Sequence, residues 1–388
     1  MAIPISYNFR NVVNRPVATL TTAVGIGLTV AIFIGALALA QGFEIALRST
    51  GSPNNAIAMR KGADSELSSG VMRDASNIMR SNPEVATAPD GHPLFSPEVV
   101  VLMNLPRLGQ PGFSNVTIRG VDPGGLALRN QVKIVAGRMF APGAAEVIVS
   151  QHIASRFANC RLGDKLRFKQ QDFTVVGQFT AGGSSFESEI WGDNAVLMPV
   201  FRGDVFQSAT FRMKHPQKFE TLKKELEADP RLGVQLKRES DYYAEQSETL
   251  ATVIRFAGVF ITLIMAVGAV FGAMNTMYAA VGARTREIAT LLVLGFSPFA
   301  IMISFMIESV LLALCGGVLG CFLSLFINGI RTGTTNFQTF SEATFAFTVT
   351  PEILGIGLIF SAGMGLVGGL LPAIRASRQP LARALRAM

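Results

Sequence analysis

The sequence is poor in charge, cysteine and histidine. Only 16% of its 388 residues are charged, whereas soluble globular chains average about 25%. Three cysteines are too few for a disulfide-stabilised scaffold. The three histidines stand apart in the sequence, and no zinc-ligand spacing, HExxH motif or GxSxG elbow occurs. We therefore predict no metal site, no catalytic residues and no enzymatic activity for this chain.

Long apolar stretches are what the sequence has in place of charge. They cover 16–43, 251–282, 297–330 and 351–373, and each exceeds the ~20 apolar residues that cross a bilayer as a helix. Backbone amides in hydrocarbon must be satisfied within the segment, which requires helices. The prediction is an α-helical membrane protein with four transmembrane helices and a large extracytoplasmic α+β domain inserted between helices 1 and 2.

Basic charge lies beside these apolar stretches. Residues 44–250 are close to neutral, whereas the rest of the chain has ten arginines, no lysine and four acidic residues. The positive-inside rule then places 1–15, 283–296 and 374–388 in the cytoplasm. Residues 44–250 and the loop 331–350 fall outside. We expect a multi-pass membrane protein with both termini in the cytoplasm.

The cytoplasmic segments predict contacts with lipid rather than with nucleic acid. Residues 1–15 are interpreted as an interfacial helix, and 374–388 as a basic tail suited to anionic headgroups. A nucleic-acid partner is not expected, because such proteins concentrate basic charge on their folded domain. Ala38-Leu39-Ala40 resembles a signal-peptide cleavage site, but the apolar stretch before it exceeds a 7–15-residue h-region. An uncut first span is therefore favoured.

Three GxxxG pairs lie within the predicted spans and are predicted to be helix-packing residues. Small residues at this spacing let helix backbones approach closely. The packing is either within one chain or between two copies, and the spacing alone favours neither. The pairs are Gly268 with Gly272, Gly316 with Gly320, and Gly365 with Gly369.

Residues 44–250 have the mixed patterning of an α+β domain. Helices are predicted over Leu67–Arg80 and Phe219–Ala228, each ending at an Asx-Pro pair. Between them we expect a β-rich insertion at about 105–195. A further helix starts near Ser240 and has no breaker before the second span, which predicts a stiff rod. The strand candidates are Val116–Val121, Glu146–Val149, Lys165–Phe168, Phe173–Gln178 and Asn194–Met198.

The segment between the second and third spans predicts a short amphipathic helix. Its apolar residues Ile288, Leu291 and Leu292 recur at helical spacing up to Gly295. Its charged residues near the start are Arg284, Arg286 and Glu287. Gly295 is placed as a C-cap, and Ser297-Pro298 as the N-cap and first position of the next helix. An ordinary positively flanked loop is the alternative.

Glu308 is the one charged residue within 297–330. An acid inside a membrane span is costly and usually functional.

Several motifs together resemble one family. The membrane motifs are Ala283 to Ser297, Ile307 to Leu312 with Gly316 to Gly320, and Leu371 to Ala376, and they look like the FtsX-like permease domain of MacB-type ABC transporters. The extracytoplasmic motifs follow the order of the MacB periplasmic core. These are Arg119-Gly-Val-Asp, Ala136-Gly-Arg, Glu146-Val-Ile-Val-Ser, Leu162-Gly-Asp and Val175-Val-Gly.

The resemblance implies a permease subunit that forms a dimer with a second copy or a homologous permease. Residues 283–295 would be the coupling helix that contacts a cytoplasmic ABC ATPase, with Arg284, Arg286, Glu287, Ile288, Leu291, Leu292 and Gly295 as its contact residues. Glu308 matches a commonly acidic position in the family, which implies a structural or gating role. No GxxxxGK[ST] motif occurs in the sequence. ATP and magnesium are therefore expected on a separate ATPase, and no cofactor on this chain.

The resemblance also implies a mode of action. ATP-driven movement of the ATPase would be relayed to the extracytoplasmic domain (mechanotransmission), and a lipid, lipoprotein or amphiphile would be exported or extracted. A periplasmic adaptor or lipoprotein is a further expected partner. The alternative function is transmembrane signalling, in which the same motion activates a cell-wall hydrolase or reports a ligand without transport.

Overall fold

The computed structural model describes residues 16–109, 111–201, 203–335 and 342–378. The predicted interfacial helix 1–15 and most of the predicted tail 374–388 lie outside the described residues. The chain divides into two compact units. The helical unit contains the chain through Gln41, Thr252–Ile330 and the chain from Phe347 onward; the α/β unit contains Gly42–Ala251 and Arg331–Ala346.

The first apolar stretch forms one long helix, α1, which spans Pro16–Arg48. It continues beyond the predicted end at residue 43. At 1.5 Å per residue its 33 residues cover about 50 Å, which exceeds the ~30 Å hydrocarbon core of a bilayer.

The α/β unit begins with the elements that follow α1. They are β1 Asn55–Arg60, β2 Val71–Met72, α2 Arg73–Arg80, β3 Phe95–Pro106, β4 Phe113–Val121, α3 Pro123–Leu128 and β5 Lys133–Gly137. The predicted helix Leu67–Arg80 is wrong in its first half, because a 3₁₀ turn at Glu66–Ser68 and the short strand β2 occupy that stretch. Only the last two turns are α-helical.

The second half of the unit alternates strands and short helices. The elements are β6 Glu146–Ser150, α4 Gln151–Arg156, β7 Lys165–Phe168, β8 Gln171–Thr180, β9 Glu189–Asp193, α5 Asn194–Phe201, β10 Val205–Phe206, β11 Ser208–Arg212, α6 Phe219–Ala228 and β12 Val234–Arg238. Helix α6 and strands β4, β6, β7 and β8 confirm their predictions. The strand predicted at Asn194–Met198 is wrong. Asp193 Oδ1 accepts a hydrogen bond from the Ala195 N–H at 2.9 Å, which turns the chain into α5.

One ten-stranded sheet organises the unit, in the order β12-β1-β11-β3-β4-β9-β6-β8-β5 with β7 paired to β8. The pairs β4–β9 and β6–β8 are parallel, and the other pairs along this order are antiparallel. One apolar core packs α2 and α6 against the end of the sheet that holds β1, β11 and β12. A second core lies among β3, β4, β6 to β9, α4 and α5.

The segment predicted as the loop 331–350 contains a hairpin. Strands β13 (Arg331–Thr335) and β14 (Glu342–Ala346) pair antiparallel and belong to the α/β unit. The Thr344 N–H donates to Ser188 Oγ at 2.7 Å. The Phe345 ring meets the Phe43 ring edge-on at 5.3 Å between centroids. The hairpin thus completes the α/β unit from a distant part of the chain.

Four helices follow β12, and β13 and β14 lie between the last two of them. They are α7 Glu239–Ala283, α8 Thr285–Val293, α9 Pro298–Leu325 and α10 Pro351–Ser377. Together α1, α7, α9 and α10 are long and apolar enough to cross a membrane. The fold class predicted from the sequence is confirmed. Helix α7 is unbroken for 45 residues, about 68 Å, so the predicted continuity from Ser240 into the second span holds.

Two of the three predicted glycine pairs lie where helices of the helical unit touch through their backbones. A Cβ at Gly316 would lie 2.8 Å from the Ala23 carbonyl oxygen, and one at Gly320 would lie 2.6 Å from the Gly27 carbonyl oxygen. This first pair therefore brings α9 against α1 within the chain.

The second packed pair joins α10 to α9. A Cβ at Gly365 would lie 2.7 Å from Ala313 Cβ, and one at Gly369 would lie 2.5 Å from Ser309 Cβ. An alanine at Gly369 would thus require Ser309 to move, so Gly369 is a packing residue as predicted.

Gly268 and Gly272 make no packing contact among the described residues, so of the two predicted arrangements only packing between two copies stays open for this pair. Both glycines lie on α7, and no described atom lies within 4 Å of a Cβ added at Gly268 or at Gly272. The apolar side chains nearby on α7, such as Val267 and Phe271, are also exposed. The GxxxG spacing makes close approach possible, but it does not supply the neighbouring helix.

Candidate functional site

Two consecutive caps join the end of helix α8 to the start of α9. At the end of α8, Gly295 has φ +87°, its N–H donates to the Leu292 carbonyl, and the Phe296 N–H donates to the Leu291 carbonyl. This is the Schellman pattern that a C-terminal glycine permits. Ser297 Oγ then accepts from the Ala300 N–H at 3.2 Å, with Pro298 at the first position of α9. The caps predicted from the sequence are confirmed, so α8 turns sharply into α9.

One face of α8 packs on the helical unit itself. Ile288 and Ala289 are buried, and Leu291 and Leu292 are half-buried. Ile288 joins an apolar cluster with Met277, Val281, Ile301, Phe305, Leu312, Ala373 and Ala376. The predicted contact residues Ile288, Leu291 and Leu292 therefore anchor α8 to its own unit.

The opposite face of α8 is exposed. It presents Arg286, Glu287 and Thr290, followed by two apolar side chains, Val293 at 60% and Leu294 at 63% exposure. Val293 and Leu294 were missed in the sequence analysis, although they lie seven residues after Arg286 and Glu287 and so share their helical face. A mixed charged and apolar face of this kind is suited to a protein partner.

Arg284 and Glu308 meet at the start of α8. Arg284 is only 4% exposed; its Nη1 donates to Glu308 Oε2 at 2.8 Å, and its Nε donates to Glu287 Oε2 at 3.0 Å. The guanidinium lies over the Phe305 ring at 5.5 Å. Glu308 is 5% exposed. Arg284 and Glu308 lie in separate predicted segments, and the structure brings them together.

The α/β unit contains a buried charge cluster that sequence reasoning missed. Arg119 donates to Glu66 at 2.9 Å, to Glu98 at 2.6 Å and to Glu189 at 2.8 Å. Arg129 donates to Glu98 at 3.0 Å. A signal was present: Glu98 stands directly before the apolar run 99–103 and Arg119 directly after Ile118, and a charge buried in a strand requires a partner.

Glu239, the first residue of α7, completes this charge cluster. Its Oε2 accepts from the Ser52 N–H at 3.0 Å and from Asn55 Nδ2 at 2.8 Å. Burial raises the pKa of Glu239, against the opposing charge of Arg129. For Glu66, burial also pushes the pKa upward, but the charge and hydrogen bonds of Arg119 outweigh burial and leave that pKa below its ordinary value. The cluster sets four carboxyl groups against two guanidinium groups, so a proton on Glu239 is electrostatically favoured.

Aromatic rings enclose the charge cluster. The Arg129 guanidinium lies 5.0 Å from the Phe186 ring centroid and 5.6 Å from that of Trp191. Trp191 Nε1 donates to Glu189 at 2.7 Å. The Tyr242 hydroxyl, one turn along α7 from Glu239, accepts from the Glu66 N–H at 2.9 Å. These contacts fix the first turn of α7 to the 3₁₀ turn at Glu66–Ser68 and to the strands β3, β4 and β9.

The described part of the chain offers no candidate metal site, and its buried thiol, Cys160, is not placed to react. No group of three or more His, Cys, Asp or Glu side chains there is placed to hold a metal ion. Cys160 is fully buried, and burial raises the pKa of its thiol to about 12.

Comparisons with known proteins define the class and then the family. Residues 19–241 match the MacB-like periplasmic core domain, and residues 259–381 match the FtsX-like permease C-terminal domain. With four apolar helices and a large α/β domain inserted in the sequence between the first two, the chain is a membrane-spanning ABC transporter permease. It belongs to the MacB/FtsX family, which confirms the resemblance seen in the sequence.

Individual relatives agree with this family. The chain is 26% identical over 290 residues to the uncharacterized ABC transporter permease YknZ of Bacillus subtilis (strain 168), covering 70% of each chain. It is 30% identical over 145 residues to the macrolide export ATP-binding/permease protein MacB of Bordetella avium (strain 197N), covering 36% of this chain and 21% of that protein. The chain thus spans about a fifth of this MacB relative.

A solved structure was also found in the comparison. It is the extracellular domain of a noncanonic ABC-type transporter, YknZ from Gram-positive bacteria, with a TM-score of 0.37 and 14% identity. It covers 47% of this chain and 100% of that domain.

Family membership settles the broad role. Family members are ABC permeases that work with an ATPase partner, and such permeases are generally non-catalytic. The four apolar helices and the match to a periplasmic core domain indicate a membrane protein with a domain outside.

Proposed function

We propose that this chain is the permease subunit through which a partner cytoplasmic ATPase moves the α/β unit on the outer side of a bacterial cytoplasmic membrane. The ATPase binds ATP and magnesium, and both termini of this chain lie in the cytoplasm. The permease works as a dimer, with a second copy or a homologous permease. The motion extracts or exports a lipid, lipoprotein or other amphiphile, aided by a periplasmic adaptor or lipoprotein.

The two faces of α8 carry this proposal. One face is locked into the apolar cluster around Ile288, and the other offers Arg286, Glu287, Thr290, Val293 and Leu294. The Gly295 turn between α8 and α9 is short and closed by two hydrogen bonds. A partner that pushes on the exposed face of α8 must therefore displace α9 as well. Such a helix is suited to receive force from a protein in the cytoplasm.

Close packing among the spans supports motion transfer over passage between the helices. Backbone contacts join α1 to α9 at Gly27 and Gly316, and α9 to α10 where Ser309 Oγ donates to the Gly365 carbonyl at 2.7 Å. Helices whose backbones approach this closely leave no room for a substrate at the contacting turns. Helices α1 and α7, about 50 and 68 Å long, are also longer than a bilayer crossing requires.

A cavity in the α/β unit supports an amphiphilic substrate. Its volume is about 260 Å³, and its wall combines apolar groups with charged ones. Leu94, Phe95 and Pro123 supply apolar surface, while Arg80 and Asp122 form an ion pair at 3.0 Å. Ligands with an apolar body and a polar end match such a wall.

The test is a matched pair of arginine substitutions. Leu294→Arg alters the exposed face of α8 at a side chain that is 63% exposed; Met72→Arg alters the α/β unit at one that is 64% exposed. Each tagged variant is purified in mild detergent from its native membranes, and vanadate-sensitive ATP hydrolysis in the eluate is measured. We expect hydrolysis with the unmodified chain and with Met72→Arg, and at least a tenfold loss with Leu294→Arg.

Two results contradict the proposal. One is an eluate of the unmodified chain without ATP hydrolysis. The other is Leu294→Arg carrying as much hydrolysis as Met72→Arg. Substrate class is tested separately with the unmodified complex in liposomes, where a fluorescent phospholipid or lipopeptide should become extractable only when ATP is present.

A further inference from the structure

We propose that Glu308 is the positioning residue of α8, which it holds in place from inside the membrane through Arg284. The contribution to ATP coupling rests on the proposed function, whereas the positional claim does not. Arg284 is the residue immediately before α8, and its carbonyl accepts the Ile288 N–H at 3.0 Å. Any restraint on the Arg284 side chain therefore acts directly on the first turn of α8.

The residue that restrains Arg284 lies well inside α9. Glu308 is the eleventh residue of that helix, about 15 Å from its start. Helix α8, with nine residues, is about 13 Å long. Its C-terminal end is tied to the start of α9 by the Gly295 turn, and its N-terminal end is tied to Glu308 by Arg284. The matching lengths mean that α8 is fixed at both ends along the first three turns of α9.

The buried surroundings of Arg284 and Glu308 make their ion pair specific for one arrangement of α8 on α9. Both side chains are nearly inaccessible, and Phe305 lies against the guanidinium. A buried charge that loses its partner is left uncompensated at a large cost in free energy, so the pair specifies one arrangement more than it stabilises the fold. Glu287, which also accepts from Arg284, is 57% exposed and lies on the outer face of α8. Arg284 thus links the partner-facing surface of α8 to the interior of a membrane span.

The pairing also explains why an acid is retained within an otherwise apolar span. Apolar contacts such as those of Ile288 and Ile301 are non-directional and tolerate small movements of α8 along α9. The ion pair of Arg284 and Glu308, at 2.8 Å, opposes such movement, because separating the two charges is costly in a medium of low dielectric.

The decisive experiment measures position and coupling on the same full-length protein. Spin labels are placed at Thr290 on α8 and Phe322 on α9, both exposed, in a background without Cys160, Cys315 and Cys321. Their distance distribution is compared in four forms: the unmodified pair, Glu308→Gln, Arg284→Glu combined with Glu308→Arg, and Glu352→Gln as an acid-removal control in an exposed first turn.

We expect one narrow distance in the unmodified protein and in Glu352→Gln. Glu308→Gln should broaden or split the distribution and lower co-purified ATP hydrolysis at least fivefold. The reversed pair should restore the narrow distance and at least half of the hydrolysis. Should Glu308→Gln fail to fold, the reversed pair decides the matter, because it keeps both charges buried.

Each remaining outcome has a distinct meaning. An unchanged narrow distance in Glu308→Gln overturns the positioning role, whether or not hydrolysis is lost. The positioning role is also overturned if Glu308→Gln broadens the distance distribution and the reversed pair does not narrow it again. If the distances follow expectation while the unmodified protein binds no ATPase, the positioning role stands and the proposed function fails.

Discussion

Arg129 and Glu239 lie 3.4 Å apart in the interior of the α/β unit, and Glu239 is the first residue of the 45-residue helix α7. The first turn of that helix is therefore held by buried polar contacts as well as by apolar packing. Arg129 and Glu239 are each 1% exposed. Protonation of the buried charge cluster should thus affect how firmly the first turn of α7 is held.

Stability should fall as pH rises through the range in which Glu239 loses its proton. The pKa of Glu239 is raised in the folded protein, so the folded state binds this proton more tightly than the unfolded state. Between the ordinary pKa of about 4.5 and the raised value, the free energy of unfolding decreases with pH. Each unit of upward shift is worth about 1.4 kcal/mol. Glu239→Gln, which cannot ionise, should flatten this slope. Trp191, the single tryptophan, lies in the charge cluster and reports unfolding by its fluorescence.

An equal slope in Glu239→Gln and in the unmodified protein would assign the pH dependence to another group. Glu245→Gln is the control, because Glu245 lies on the same helix and its side chain is 58% exposed.

Removing Arg119 should destabilise the α/β unit strongly. Arg119→Met leaves Glu66, Glu98 and Glu189 buried without their shared counter-charge, and breaking a buried ion pair from one side typically costs about 3–5 kcal/mol. Arg138→Met removes a surface pair with Glu146 and should change little. Thermal unfolding followed at Trp191 measures both. Comparable melting temperatures for the two variants would mean that water reaches the buried charge cluster.

Alanine substitution should destabilise the protein at the packed glycines of the spans but not at the glycines that have open space around them. At Gly316 an added Cβ would press on the Ala23 carbonyl, so Gly316→Ala should destabilise the helical unit by about 1–3 kcal/mol. At Gly268 and Gly272 the space is open among the described residues, so alanine at either should be neutral or gain up to about 1 kcal/mol of helix propensity. Melting in detergent, followed by size-exclusion chromatography, measures the difference. A lower melting temperature for Gly268→Ala alone would reverse this assignment.

Cysteine labelling should place Leu162 of the α/β unit and Arg286 of α8 on opposite sides of the membrane. In intact cells with a permeabilised outer envelope, an impermeant maleimide should label Leu162→Cys, at a 51% exposed side chain. It should label Arg286→Cys only after the cytoplasmic membrane is opened. Cys160 needs no replacement, because it is buried and its thiol has a pKa of about 12. Labelling of both positions in intact cells would reverse the topology.

Sequence patterns were sufficient where a single physical preference decides the structure. The four spans follow from apolar length. The end of α8 follows from Gly295 and the start of α9 from Ser297-Pro298, because their cap geometry is local. The helix Phe219–Ala228 follows from its period and its Asx-Pro stop. In each case the relevant contacts lie within a few residues along the chain.

The misassigned elements depend on contacts distant in sequence. Asn194–Met198 is apolar enough for a strand, but β9 occupies the sheet position beside β4 and β6, and the chain turns away at Asp193. The charge cluster unites residues from Glu66 to Glu239, and single-sequence periodicity gives no pairing between them. The inward face of α8 likewise depends on distant contacts, because Ile288 packs into a cluster with residues of α9 whereas Leu294 is exposed.

The glycine pairs show the same limit. Gly272 on α7 and Gly369 on α10 stand in identical GxxxG spacing, yet an added Cβ would strike Ser309 only at Gly369. Which pair packs is decided by the helix that lies opposite, and the spacing within one helix carries no information about that neighbour.

The hairpin of β13 and β14 has a practical consequence for protein production. A soluble fragment ending at residue 250 would omit these strands, uncover the Phe43 ring and deprive Ser188 of its acceptor role toward Thr344. A soluble form of that domain should therefore be produced in better yield when residues 331–346 are attached to its C-terminal end through a flexible linker. Such a design includes both stretches of polypeptide that form the domain.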